Sequence, residues 1–525
     1  METMAASDKQ DNLFLLIKSL NKAEKRNFKL YAQRLGGNSD AKFIALFDCI
    51  DHLEKYDQTT ILQRCKEISK QQLPNMKAHL YKQIMKSLRM LNVQHSATLQ
   101  IKEQTDFANI LFDKGLYDQA NRILDKAAQM AKEFGEAPAL LDIISLQKRV
   151  KVMNVSSDMT RISEKVIKES EGIFRRIENI NNLSKMAVRL LALHQEVGYA
   201  RSQKDLDLLN NYFKPKLDAY DHTKLNFTER FYYYQAKAWY YYLRHEFSRT
   251  YRYALLWLQM FNREPHMKEV MYDSYLTGFS QFFEGLFLMR KYSLFIKYLE
   301  MFEAESESLT RLNANAEMLV QQIIFTGRLN KSLLDGTCKE GLWYTKSIDS
   351  YMKKYADYLS VYEKMMLDYK IASLYYYDNN YTKCMEYLSY IIAVKDPKIR
   401  RDLQCYARIL NLIALYDAGM DFNIDYQIRS VYFFIVKMKD MTEMKNEMFT
   451  FFKRLGAIKA SEFKTELKNL YSLLKPYENH PYERRTFYYI DMLSWLESKI
   501  SERSIGEIVR EKFEKSQNEE KQRKQ

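Results

Sequence analysis

The sequence predicts an all-α protein, and its composition is the main reason. The chain has 525 residues but only 14 glycines and 7 prolines, and so few helix breakers favour long helices joined by short turns. Strands would need many more turn residues. Apolar residues at 46% and charged residues at 28% are typical of a folded globular protein. Because the length exceeds what one hydrophobic core usually serves, we expect several domains or an extended array.

Residues 1–100 are predicted to form a compact helical N-terminal domain. Asp11 or Asn12 is placed to cap a first helix, immediately before a cluster of apolar residues. Asn21, with Glu24 three residues later, has the pattern of a capping box at the start of a second helix. Further helices follow, but no repeated pattern is visible before residue 101.

The second half of this domain carries a predicted basic face. Residues 61–100 contain seven lysines and arginines but only one acidic residue, Glu67. Asp57 is expected to cap a helix over 58–69 and Pro74 to open another over 75–92, which together have the outline of a helix-turn-helix. The candidate nucleic-acid contacts are Lys77, Lys82, Lys86 and Arg89. The same pattern also suits the solvated side of an ordinary amphipathic helix.

Small and aromatic residues recur from residue 101 onward at the spacing of a helical hairpin. In residues 101–134, positions 8, 15, 17, 20, 24 and 27 are Ala108, Gly115, Tyr117, Ala120, Leu124 and Ala127. This unit resembles a tetratricopeptide repeat, a 34-residue helix–turn–helix that stacks into a solenoid. The resemblance implies an α-α superhelix, that is, a right-handed solenoid of helical hairpins with stretched and degenerate repeats.

Weaker copies of the unit extend this prediction over residues 101–500. They begin at residues 231, 276, 365 and about 405, and the spacing leaves room for a degenerate unit near residue 320. The last predicted helix, Thr486–Ile500, is expected to cap the C-terminal end of the array. Residues 501–525 form a charged tail, and we expect 512–525 to fray.

The resemblance also implies a partner-binding groove. In the repeat family, positions 2, 5, 9, 12 and 13 of each first helix line the concave side. The groove residues inferred in this way are Asn109, Phe112, Tyr232, Gln235, Trp239, Tyr242, Tyr369, Tyr376 and Tyr377. Tyrosine offers a large contact area at little entropic cost, which suits peptide binding. Alternatively, the same tyrosines fill wide interfaces between helices.

No motif for catalysis, nucleotide binding or metal binding is found in the sequence. It lacks the phosphate-binding glycine loops, the H-E-x-x-H zinc pattern and the G-x-S-x-G nucleophile turn, so we expect neither an enzyme nor a cofactor. The five cysteines are scattered without a C-x-x-C pair, which indicates reduced thiols and a cytoplasmic protein. No apolar run approaches the ~18–20 residues of a membrane span, so we expect no membrane association.

We therefore predict a non-enzymatic scaffold that binds a protein or peptide segment in an aromatic concave groove. The alternative is a nucleic-acid-associated regulator that uses its basic N-terminal domain. The net charge of +14 is a mild bias on so large a surface and favours the first interpretation.

Overall fold

The structure, a computed structural model, consists of helices and the turns that connect them in the part of the chain that it describes. The described residues are 11–35, 38–153, 159–307, 312–420 and 423–524. Within these ranges there are 25 α-helices and four short 3-10 helices, and no β-strand. The all-α prediction is thus confirmed. Residues 1–10 of the predicted N-terminal domain and Gln525 of the predicted tail lie outside the described ranges.

The chain divides into two compact units, Met1–Arg175 and Arg176–Gln525. This division lies well beyond residue 100, where the sequence suggested a boundary. The described helices of the first unit are α1 (Asn12–Ser19), α2 (Lys22–Leu35), α3 (Asn38–Asp51), α4 (Gln58–Arg64), α5 (Leu73–Asn92), the 3-10 helix Val93–His95, α6 (Ala97–Asp113), α7 (Tyr117–Glu133), α8 (Ala137–Met153) and the start of α9 (Met159–Val197).

The second unit contains the remainder of α9 and all later elements. These are α10 (Gln203–Asp218), α11 (Phe227–Leu243), α12 (Phe247–Arg263), α13 (Met267–Leu288), α14 (Tyr292–Glu307), α15 (Ala314–Asp335), α16 (Cys338–Trp343), α17 (Thr345–Lys354), α18 (Val361–Tyr377), α19 (Tyr381–Ile392), α20 (Arg401–Asp417), α21 (Ile424–Lys437), α22 (Glu443–Arg454), α23 (Ala460–Leu474), α24 (Met492–Ser501) and α25 (Ile505–Lys524). Three 3-10 helices lie at Leu455–Ala457, Lys475–Asn479 and Glu483–Tyr488.

The first unit begins each of its early helices where the sequence predicts a cap. The Asp11 carboxylate accepts two backbone N–H groups of α1 at 3.1 Å. Asn21 and Glu24 form the reciprocal bonds of a capping box, at 2.8 and 2.9 Å. Asp57 caps α4, and Pro74 lies in the first turn of α5. These local signals are correct because each depends on only a few neighbouring residues.

Five hairpins turn at the position that the proposed repeat register assigns to the turn. The pairs are α6/α7, α11/α12, α13/α14, α18/α19 and α20/α21. Position 15 of each unit has a left-handed backbone, with φ of 75°, 61°, 53°, 58° and 65° at Gly115, His245, Arg290, Asn379 and Gly419 respectively. Glycine and asparagine tolerate this conformation. His245 and Arg290 adopt it as well, so the shared turn geometry extends beyond the residue types that favour it.

Alternate helices of the second unit also contact one another. α11 packs on α13, α13 on α15, α15 on α18 and α18 on α20, in addition to the contacts within each hairpin. We call these five helices the first-helix row. Each helix of this row therefore contacts the next one in the row.

The C-terminal tail differs from the prediction that residues 512–525 would fray. α25 continues to Lys524, and its first two turns are anchored, since Val509 is buried. Phe513 packs edge-on against Tyr292, with ring centroids 4.5 Å apart. Apolar contacts in the first half of α25 hold the helix in place, although its charged composition suggested fraying.

The last predicted helix, Thr486–Ile500, begins later than expected. Residues Glu483–Tyr488 form a 3-10 helix, and the α-helix α24 starts only after them. The Glu483 carboxylate accepts two backbone N–H groups at the start of α22, at 3.0 and 3.1 Å. The buried Arg485 pairs with Asp440. These tertiary bonds hold the segment in a conformation that local preference does not specify.

Candidate functional site

The predicted groove residues of the first unit lie on α6 and are half-buried. The Asn109 side chain donates a hydrogen bond to the Thr105 carbonyl oxygen at 3.1 Å. The Phe112 ring lies 5.6 Å from the ring of Tyr117, and the Arg149 guanidinium covers its other side at 4.5 Å. This part of the predicted groove is therefore a small aromatic surface beside a cation.

The four predicted groove residues of α11 differ in their burial. Tyr232, Gln235 and Trp239 are half-buried, whereas Tyr242 is buried. The Trp239 ring lies 5.0 Å from the buried imidazole of His194. The first three side chains keep part of their surface free for a partner, while Tyr242 faces the interior.

The predicted groove tyrosines of α18 contact other parts of the same unit. Tyr369 and Tyr376 are buried, and Tyr377 is half-buried. The Tyr369 hydroxyl donates to the Tyr489 carbonyl oxygen at 3.1 Å, and the Tyr376 hydroxyl donates to Asp417 at 2.7 Å. Burial raises the pKa of the Tyr369 and Tyr376 phenols well above the usual value. These tyrosines bind the chain itself, and a partner does not reach them without rearrangement.

Residues 483–491 lie against the first-helix row, and we call them the crossing segment. The Tyr489 ring stacks on Tyr406 of α20, with ring centroids 4.4 Å apart. Tyr488 packs edge-on against Phe247 at 5.2 Å. Tyr489 thus contacts two helices of the first-helix row, α18 through Tyr369 and α20 through Tyr406, whereas Tyr488 contacts α12.

Buried charges hold the crossing segment in place. Arg400 and Asp402 form a two-pronged pair at 2.9 and 3.0 Å, and both are almost fully buried. Burial alone would raise the pKa of Asp402, but the Arg400 guanidinium outweighs burial and lowers that pKa to about 2. Asp440 similarly pairs with both Lys445 and Arg485. Such pairs strongly penalise the loss of one partner, because the other charge then stays buried alone.

Beside the crossing segment lies a cavity of about 100 Å³. Its wall includes Tyr242, Tyr369 and Tyr377, three of the predicted groove residues. It also includes Glu284 and Lys370, which we did not single out from the sequence. Glu284 stands at position 9 of the unit that begins at residue 276, so applying the groove register to this weaker copy would have found it. Lys370 lies at a position that the register does not assign to the groove.

The predicted basic residues lie on α5 of the first unit and are not equivalent. Lys77 is half-buried and donates to Asp11 and to the Tyr56 hydroxyl. Arg89 pairs with Asp106 at 3.1 Å on the surface. Lys82 and Lys86 are exposed, and neither forms an ion pair with another described residue. α5 packs mainly on α1, α2 and α3, whereas α4 packs on α3.

Comparisons with known proteins do not identify this chain. No family model, no curated protein and no solved structure matches it. The described part of the chain contains no group of three or more histidine, cysteine, aspartate or glutamate side chains that could hold a metal ion. No described helix combines the length and the apolar character that crossing a bilayer requires.

Proposed function

We propose that this protein is a non-enzymatic, cytoplasmic interaction scaffold with a tetratricopeptide-like α-α superhelix. The shared turn position of five hairpins and the successive contacts within the first-helix row support the architecture. The five cysteines are all buried and free of disulfides, which agrees with a reducing compartment. The proposed activity is capture of a segment of a protein partner, and it needs neither a cofactor nor a catalytic residue.

The observation that carries the proposal is the position of the crossing segment. Groove residues of α11, α13 and α18 line one surface, and a stretch of chain already lies on it. The Tyr369 hydroxyl binds the backbone carbonyl of Tyr489, a contact that does not depend on the side chain of the bound residue. A surface that holds one segment through aromatic packing and backbone hydrogen bonds has the chemistry to hold another.

The partner surface that we propose in the second unit is the half-buried part of the α11 face. Tyr232, Gln235 and Trp239 occupy positions 2, 5 and 9 of this helix and retain exposed surface. In the first unit, Asn109 and Phe112 form a second and smaller surface of the same kind. Tyr242, Tyr369 and the other buried tyrosines then serve to support these surfaces.

A photo-crosslinking amino acid at Gln235 tests this proposal in the full chain within native cell extract. We expect a discrete protein adduct. The matched control carries the same amino acid at Phe433, which is exposed on α21, a helix outside the first-helix row. Replacing Trp239 with leucine in the Gln235 variant should abolish the adduct. No adduct at Gln235, or equal adducts at both positions, would refute the α11 surface.

A second candidate function, nucleic-acid binding, is favoured by the charge distribution on α5. This helix has no acidic residue over Leu73–Asn92, and Lys82 and Lys86 are exposed without carboxylate partners among the described residues. Tyr81 and Met85 are exposed beside them. Two exposed lysines without ion pairs, beside an exposed ring on the same helix, suit contact with phosphate and bases.

The salt dependence of binding tests this second candidate. Labelled mixed-sequence oligonucleotides, single- and double-stranded, are titrated with the full chain at several salt concentrations. Phosphate contact requires that the logarithm of affinity fall linearly with the logarithm of salt concentration. Lys82→Glu with Lys86→Glu should abolish binding, while Lys165→Glu with Lys168→Glu, on the exposed side of α9, should preserve most of it. If both double variants lose the same affinity for the oligonucleotide, binding depends on the net charge of the protein and not on α5.

A further inference from the structure

The cavity beside the crossing segment is lined by several charged side chains, most of which neutralise one another. Arg400 pairs with Asp402 at 2.9 Å, and Arg290 pairs with Asp491 at 3.7 Å. Two opposite charges remain, those of Lys370 and Glu284, both on the cavity wall.

Lys370 is buried but forms no ion pair with any carboxylate in the described part of the chain. Its Nζ donates to Asn330 Oδ1 at 2.8 Å and lies 4.8 Å from the centre of the Phe287 ring. An ammonium group has three donors, and only this one hydrogen bond satisfies them within the described chain. Burial lowers the pKa of Lys370, and the charge of Glu284 is the main influence that opposes this. Lys370 and Glu284 therefore line the same cavity, and no ion pair joins them among the described residues.

Glu284 is the matching group on α13. Its Oε1 accepts a hydrogen bond from the Tyr242 hydroxyl at 3.2 Å. It forms no ion pair with any lysine or arginine that the structure describes. The buried Lys370 and the half-buried Glu284 share one cavity wall but form no ion pair with each other. This arrangement favours a molecule between them that carries both charges, since an unpaired buried charge is costly.

We propose that this cavity binds a small zwitterion, namely a free α-amino acid. Its carboxylate accepts from Lys370, and its ammonium group donates to Glu284. The cavity volume of about 100 Å³ suits an amino acid with a small side chain, which packs against Phe287 and Tyr377. The site lies at the contact between the crossing segment and the first-helix row, and binding there does not depend on the partner-capture function.

The ligand class is tested on the unmodified full chain by thermal unfolding with free glycine, alanine, serine and larger amino acids. A ligand that binds only the folded state raises the unfolding midpoint as its concentration rises. We expect a rise for the small amino acids. The corresponding amides lack the carboxylate and the N-acetyl derivatives lack the ammonium group, so neither should produce it. If no amino acid shifts the midpoint, or if the derivatives act equally, the zwitterion site is refuted.

Two variants then test whether Lys370 and Glu284 bind the amino acid. Lys370→Met and Glu284→Gln should each weaken binding in calorimetry by about tenfold or more, the loss of one charge-assisted contact. The control is Lys237→Met, because Lys237 is also a buried lysine but pairs with Asp218 outside the cavity. Unchanged affinity in both test variants would overturn the assignment. If a variant does not fold, the comparison of derivatives on the unmodified chain still decides the proposal.

Discussion

The Tyr489 hydroxyl donates a hydrogen bond of 2.7 Å to Oδ2 of Asp402. Asp402 is also bound through both oxygens by Arg400. This small network joins the crossing segment to the start of α20. Through this network the crossing segment, which contains no α-helix, packs in the interior of the second unit.

Tyr489→Phe should lower the free energy of unfolding by about 1–3 kcal/mol, because it removes the hydroxyl but keeps the ring that stacks on Tyr406. Urea denaturation of the full chain measures this change. Tyr390→Phe is the control, since Tyr390 is exposed on α19, and it should leave the midpoint unchanged. Equal effects of the two substitutions would mean that the buried hydroxyl contributes nothing specific.

Two glycines of the second unit share a left-handed backbone but differ in their surroundings. A Cβ at Gly198, where φ is 78°, would collide with the Asp402 carboxylate, whereas one at Gly419, where φ is 65°, meets no atom within 4 Å. Gly419→Ala should therefore cost only about 1 kcal/mol of backbone strain. Gly198→Ala should cost about 3 kcal/mol or more, because it also disturbs a buried ion pair. Denaturation midpoints of both variants, compared with the parent, check the difference.

The sequence predicted the helices and hairpins of this protein because their signals are local. The repeat spacing assigns position 15 to Gly115, Asn379 and Gly419, and all three have a left-handed backbone. It also placed Ala108 and Ala120 where two helices pack closely, and both are fully buried. A cap, a turn or a pair of small residues involves only neighbours within one or two helices, and such patterns can be found in a single chain.

The crossing segment could not be predicted in the same way. Tyr369 and Tyr489 are separated by 120 positions in the chain, and no local pattern at either residue encodes their contact. The groove register selected Tyr242, Tyr369 and Tyr377, which line one cavity, but it did not indicate that residues of the crossing segment line the same cavity. Glu284 was missed because the groove register was not applied to the unit that begins at residue 276. Lys370 lies at a position outside the register, and its significance comes only from the cavity wall that it shares with residues of other hairpins.

The tryptophans of the second unit provide a spectroscopic test of its packing. The Trp343 side chain is 83% exposed, whereas Trp257 and Trp495 are 1% and 2% exposed. Trp343→Phe should therefore remove the fluorescence component that acrylamide quenches most readily and shift the remaining emission to shorter wavelength. Trp239 is half-buried, so the decisive variant also carries Trp239→Phe, and strong quenching that persists in it would contradict the buried positions of Trp257 and Trp495.

The imidazole of His194 should make the second unit less stable at acidic pH. The surrounding rings include Trp239 and Tyr242, at 5.0 and 5.1 Å, and neither ring nitrogen has a hydrogen-bond partner in the described chain. Burial lowers the His194 pKa to about 3, the Arg400 charge adds to this effect, and the Asp402 charge opposes it. Histidine in an unfolded chain has a pKa of about 6.5.

Below about pH 6.5 the unfolded state therefore binds a proton that the folded state excludes until about pH 3. Stability should fall as the pH drops through this interval, by at most about 1.4 kcal/mol per pH unit for this one group. His194→Phe fits the aromatic surroundings and cannot be protonated, so it should reduce the slope by one proton. The buried His245, whose pKa burial also lowers to about 3, should maintain a residual slope. Urea denaturation of the parent and of His194→Phe between about pH 7 and pH 5 measures the two slopes. Parallel curves of unfolding free energy against pH would show that His194 is already protonated or solvated in the folded state.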